Sequence, residues 1–207
     1  MNKQTLSTII FFGAIWGLLE ATLGYLLQFL PPLISGAIMF PIGAAILLYV
    51  SKNTESKSAL LAVGFVAALI KAINFFMPGL PPIKTYNPMI AIMMQSIMVL
   101  ITLHLFEKKT FLSSVLSLGL ASFAWRLLFL VNLSVNRMIT GMSFQQLASP
   151  NSMMSFVLIN GLIGLLIIGI ILGIIHLLHQ SMTIKHKPSL WISTALFAMA
   201  LVITFFI

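Results

Sequence analysis

The chain reads as an all-α, polytopic membrane helix bundle forming a single domain over residues 1–207. Three observations predict it. Only 7% of the residues are charged and 60% are hydrophobic, whereas ordinary soluble domains are about 25% charged. Mean hydropathy is +1.12. Apolar runs also recur along the whole chain at the length a bilayer core demands, roughly 20 residues per helix. A chain of 207 residues suits one compact bundle and leaves no room for a soluble catalytic or nucleotide-binding domain.

Seven runs meet or approach the spanning length: residues 7–30, 33–51, 58–78, 89–106, 110–135, 151–180 and 190–207. The first is about 24 residues long and lacks a small-residue cleavage site, so it reads as a retained span rather than a signal peptide. The second follows Pro31 and Pro32 and carries Gly36, Pro41 and Gly43. Such residues are tolerated in a span where neighbours satisfy the freed backbone groups. This run is therefore either a kinked span or a re-entrant one, and in the second case the spans number six. The connections are short, so sequential helices should pack antiparallel.

Lysine and arginine set the orientation. With seven spans, Lys3, Lys52, Lys57, Lys108, Lys109, Lys185 and Lys187 all fall on one side, and only Lys84 and Arg137 on the other. This predicts an N-in, C-out, multi-pass protein of the cell (inner) membrane, embedded in the lipid bilayer. On the outer side, residues 79–88 and 136–150 form the loops, and Ser143, Phe144, Gln145, Gln146 and Leu147 form a short surface helix. Both loops are placed to cover an outward-facing cavity.

Three ionisable side chains interrupt the apolar runs: Glu20, Lys71 and Arg126. A charge in hydrocarbon costs about 3 kcal/mol on insertion scales, so such groups are normally paired or turned to a polar cavity. Glu20 and Lys71 each lie about 13 residues past the inner end of their spans, roughly 20 Å deep, and Arg126 about 24 Å deep. The three therefore share a level. Helical periodicity puts Gly13, Trp16, Gly17, Glu20 and Gly24 on one face, and Gly64, Ala67, Lys71, Asn74 and Pro78 on another. Small residues let backbones approach closely, which marks these as interior faces. Glu20 and Lys71 can simply pair and fix helix register. That leaves Arg126 without an acid, and its planar fork suits a carboxylate or phosphate on a ligand. Asn74, Asn87, Asn132 and Asn160 offer neutral hydrogen bonds, and Trp16, Tyr25 and Trp125 offer a flat surface for a ring.

Other patterns exclude more than they propose. The net charge of +8 is explained by lysines in loops between spans and not by nucleic-acid binding. There is no Cys and no Asp, and the only acids are Glu20, Glu55 and Glu107. Thiolate metal sites and an acidic magnesium site are thus excluded. His104, His176, His179 and His186 read as interfacial residues, and the 13 methionines as gap filling. Gly169 and Gly173 on the sixth run read as close helix packing, within the bundle or with a partner. No nucleotide-binding, zinc-protease or serine-hydrolase motif is present. No metal, cofactor or enzymatic activity is expected.

A small, basic, very hydrophobic bundle with Gly13-x-x-x-Gly17-x-x-x-Ala21 on its first span resembles the substrate-binding S components of energy-coupling-factor (ECF) transporters. That resemblance implies a ligand in the outward half of the bundle. It also implies that Gly13, Gly17 and Ala21 dock on a coupling membrane subunit, which in turn works with ATPases. The chain departs from the pattern in having one span more than usual and glycines where alanines are typical. Three classes of function remain open: capture of a small anionic or zwitterionic nutrient, such as a vitamin; a structural or assembly subunit bound through its glycine faces; and a small enzyme acting on a lipid, with Glu20 as acid or base.

Overall fold

A computed structural model describes residues 2–27, 32–106, 110–178 and 188–206. Glu107, Lys108, Lys109, His179, Lys185, His186 and Lys187 lie outside the described residues, as does Pro31. The described chain is helical throughout, without a strand. Its main helices are α1 (Lys3–Leu26), α2 (Pro32–Asn53), α3 (Ser58–Ala72), α4 (Pro82–Leu105), α5 (Phe111–Thr140), α6 (Pro150–Leu177) and α7 (Leu190–Phe206). Six of them are long and apolar enough to cross a membrane. The shorter one is α7, whose 17 residues reach about 25 Å.

Several boundaries differ from expectation. Residues 32–53 form one helix that continues through Pro41, with no break of the kind a re-entrant segment needs. Pro82 sits in the first turn of α4, where its missing N–H costs nothing, so α4 starts well before residue 89 and carries Pro88 inside it. The expected outer loop 79–88 is therefore largely helix. At the other end of the chain's middle, α5 runs on to Thr140 and stops at Gly141, whose φ of +68° is the left-handed cap that glycine tolerates best. The segment after it holds the expected short helix as a 3₁₀ turn, Gln145–Leu147. A π-helical stretch, Ser155–Ile159, interrupts α6 near its start.

The helices pack as a ring. Going around it, α1 meets α3, α3 meets α4, α4 meets α5, α5 meets α6, and α2 closes the circle between α6 and α1 while also touching α4. The remaining helix, α7, lies against α1 outside this ring. Ser7 on α1 fixes its start by donating to the Pro188 carbonyl at 2.6 Å, with the Ser193 hydroxyl 2.8 Å away. Ala14, Ile70 and Ala200 then pack between α1, α3 and α7. Polar residues inside the helices mostly serve themselves: the hydroxyls of Thr8, Thr22, Ser96, Thr102 and Thr204 donate to carbonyls one turn back at 2.7–2.9 Å. That arrangement removes the cost of carrying a hydroxyl in an apolar helix.

The face of α1 assigned to a partner is already covered. A Cβ at Gly13 would lie 2.6 Å from Val66, and one at Gly17 2.6 Å from Ile70, both on α3. Ala21 is buried as well. The smallness of Gly13 and Gly17 lets α1 and α3 of the same chain approach, and none of Gly13, Gly17 and Ala21, the residues expected to dock on a coupling subunit, is open to a partner in this arrangement. Sequence spacing reveals that a face is small, but not which helix will use it.

Candidate functional site

The late turns of α1, α3 and α5 and the early turns of α2, α4 and α6 converge at one end of the ring. They enclose a cavity of about 220 Å³. Pockets for drug-sized ligands run from about 300 Å³ upward, so this one suits a smaller guest. Glu20 and Lys71 both lie on its wall, with Asn87, Gln95, Trp125 and Gln146.

Glu20 is held in place by its own helix. The indole Nε1 of Trp16, one turn earlier, donates to Glu20 Oε1 at 3.3 Å. Trp16 is fully buried, and its ring fits because Gly43 on α2 has no side chain: a Cβ there would stand 2.5 Å from the ring. The other oxygen, Oε2, faces Gly24, where a Cβ would lie 3.4 Å from it, and Gly24 is itself part of the cavity wall. Lys71 is 4% exposed and within electrostatic range of Glu20. Among the described residues the two make no direct ion pair, so the expected register-fixing bridge is replaced by two charges presented on one cavity.

Arg126 takes a different part from the one its sequence position implies. Its guanidinium is fully buried and donates to the Ser122 carbonyl, to the Ser122 hydroxyl at 2.7 Å and to the Gly36 carbonyl at 3.2 Å. It also sits over the rings of Trp125, 4.8 Å from the centroid, and Phe40, at 5.8 Å. The group is not on the cavity wall. Arg126 is thus turned away from this cavity, and backbone carbonyls and aromatic faces offset much of its charge where no acid exists, although its Nε has no partner. Gly164 makes room for this cluster, since a Cβ there would lie 2.6 Å from Ser122 Oγ and 3.6 Å from Arg126 Nη2.

Its neighbour Trp125 does reach the cavity. The Trp125 ring stacks with Phe40 at 5.9 Å and makes a T-shaped contact with Phe156 at 6.1 Å, with Phe129 also 5.9 Å away. Phe129 and Phe156 complete the aromatic side of the cavity. Sequence spacing singles out neither of them, and Phe156 lies in the π-helical stretch, where simple periodicity fails. Gln95 is a further residue that sequence reasoning misses, although Asn87, Ala91 and Gln95 fall at successive i+4 steps on α4 and all line the cavity.

Three buried polar atoms on this wall lack a hydrogen-bond partner: Asn87 Oδ1, Gln95 Oε1 and Trp125 Nε1. Leaving a buried polar group unsatisfied costs about 1–3 kcal/mol. Three of them would consume a large share of the roughly 5–15 kcal/mol that keeps a domain folded. The residues line the hollow, but these three atoms are themselves sealed from it. Of the remaining expected site residues, Asn74 lines an adjoining smaller chamber, and half-buried Asn132 is on neither wall.

A wider hollow of about 540 Å³ lies at the opposite end, lined by the α2–α3 connection with the end of α4 and the start of α5. Lys57 Nζ is 2.9 Å from His104 Nδ1 there. His176 packs its ring against Phe111 at 5.2 Å. The buried charged residues Glu20 and Lys71 are absent from this hollow and line the smaller cavity instead.

Searches against protein-family models, curated proteins and solved structures found no match to this chain.

Proposed function

We propose that this chain is a membrane-embedded capture subunit for a small nutrient that carries both hydrogen-bonding and flat apolar surface. The observation that carries the reading is the cavity at one end of the bundle, on whose wall two buried charged residues, Glu20 and Lys71, converge with Asn87, Gln95 and Trp125. A guest between them meets Glu20 and Lys71 and rests its ring on Trp125.

In this reading all seven helices cross the bilayer, the end bearing Lys3, Lys52 and Lys57 faces the cytoplasm, and the cavity opens outward. The protein then belongs in the inner membrane. Energy comes from a separate module, as the resemblance to ECF S components implies. With the α1 glycine face covered, the face at Gly169 and Gly173 fits the coupling subunit better, because a Cβ added at either glycine would meet no neighbour within 4 Å.

The test is thermal stability of the detergent-solubilised protein in fractionated small-molecule extracts. A fraction should raise the melting temperature by several degrees through ligand linkage. Gln95→Leu should abolish that rise while folding normally. A melting temperature that no fraction moves contradicts the reading.

A further inference from the structure

Glu20 and Lys71 are an ion pair held open. Both line the cavity, and both are buried, at 8% and 4% exposed. Their charges lie within electrostatic range of each other, yet among the described residues they make no direct ion pair. The Trp16 indole tethers the Glu20 carboxyl by its other oxygen, Oε1, at 3.3 Å. Glu20 Oε2 and the Lys71 ammonium have no hydrogen-bond partner among the described residues. Unlike Asn87 Oδ1, Gln95 Oε1 and Trp125 Nε1, neither is sealed from open space. Opposite charges in apolar surroundings attract strongly. A pair that stays apart leaves one carboxylate oxygen short of a donor and one ammonium short of an acceptor.

The charges on the wall also cancel. Among the described residues, Glu20 and Lys71 are the charged groups that line the cavity, and Asn87, Gln95 and Gln146 add neutral amides. The third buried ion, Arg126, is turned to the Ser122 and Gly36 carbonyls. An anionic or cationic guest would therefore bring an unbalanced charge into this space and carry the desolvation cost of a buried ion. A zwitterion brings no net charge but surrenders the water of two full ones. A neutral guest escapes both costs. The rest of the wall is largely apolar, with the aromatic group of Trp125, Phe129 and Phe156.

We infer that the guest is a neutral aromatic molecule with an amide-like edge: its N–H donates to Glu20, its carbonyl accepts from Lys71, and its ring lies against Trp125. This rests on the capture reading and adds to it the charge and hydrogen-bonding pattern of the molecule. The guest stands in the gap of the open pair and gives each charge the partner it lacks. Both hydrogen bonds involve an ionised group, which makes them stronger than neutral ones.

Five probes built on one phenyl ring test the inference by calorimetry on the full-length protein: benzamide, acetophenone, benzoate, benzylamine and phenylglycine. Benzamide should bind tightest. Acetophenone has the same shape but no donor, and should bind about tenfold more weakly, the value of a hydrogen bond to a charged group. Benzoate, protonated benzylamine and phenylglycine should all rank below benzamide. Glu20→Gln keeps an oxygen for Trp16 and leaves Lys71 as the single charge on the wall, so in that variant benzoate should overtake benzamide. The wild-type ranking decides the matter even where the variant does not fold. A charged probe or phenylglycine ranked first in the wild type overturns the inference. So does acetophenone binding as well as benzamide, an order that Glu20→Gln leaves unchanged, or silence of all five probes. Recovery from the purified protein of a bound molecule with a net charge overturns it while leaving the capture reading intact. Absence of any bound molecule, with no extract fraction moving the melting temperature, removes both.

Discussion

Trp16 and Glu20 lie one turn apart on α1, and the indole of the first donates to the carboxyl of the second at 3.3 Å. The pair links packing to site chemistry. Trp16 is fully buried against Gly43, so the oxygen it holds cannot wander, and the second oxygen of Glu20 is left facing the cavity wall. Trp16→Phe keeps most of the packing and removes the donor. Stability should fall by about 1 kcal/mol, the net value of such a bond, and guest affinity should fall with it. Thermal denaturation and calorimetry on the same preparation check both.

Gly17→Leu tests the corrected role of the α1 glycines. Its Cβ would collide with Ile70, so α1 and α3 must separate, at a cost of about 1–3 kcal/mol for overpacking. The melting temperature of the isolated protein should drop. A variant that melts like the wild type but no longer co-purifies with a membrane partner would restore the docking face.

Arg126→Ala should act on the fold before it acts on binding. It removes the donors to Ser122 and Gly36 and empties the space over the stacked rings of Trp125 and Phe40. A loss of about 2–5 kcal/mol follows from comparable core truncations. Arg126→Lys should recover only part of this, since an ammonium cannot fork between two carbonyls. Normal stability with selective loss of guest binding would return Arg126 to the site.

Much of this arrangement is legible from one-dimensional spacing. Counting residues along their helices places Glu20 and Lys71 at one depth, and the structure sets both on one cavity. Asn87 and Trp125 join them there. For Arg126 the same count gives the level but not the heading, because depth along a helix says nothing about which carbonyls a long side chain can reach. The two acceptors that hold it come from different helices, Ser122 on its own and Gly36 on α2. Gln95 escapes notice because a run starting at residue 89 leaves Asn87 in a loop and hides the i+4 steps that join the two on one helix. Phe156 is invisible for another reason: the π-helical stretch rotates it off the 3.6-residue register. The start of α4 is misplaced because Pro81, Pro82 and Pro88 read as a loop, whereas proline in a first turn begins helices well.

The central claim is that the Glu20–Lys71 cavity holds a small molecule, and unbiased mass spectrometry of purified protein tests it most directly. Lys71→Met serves as the control once its melting temperature matches that of the wild type, because removing one of two interacting buried charges leaves Glu20 without its partner. The account predicts one small molecule released in near-stoichiometric amount from the wild type and absent from Lys71→Met. Identical, empty spectra from two equally well-folded proteins would contradict it.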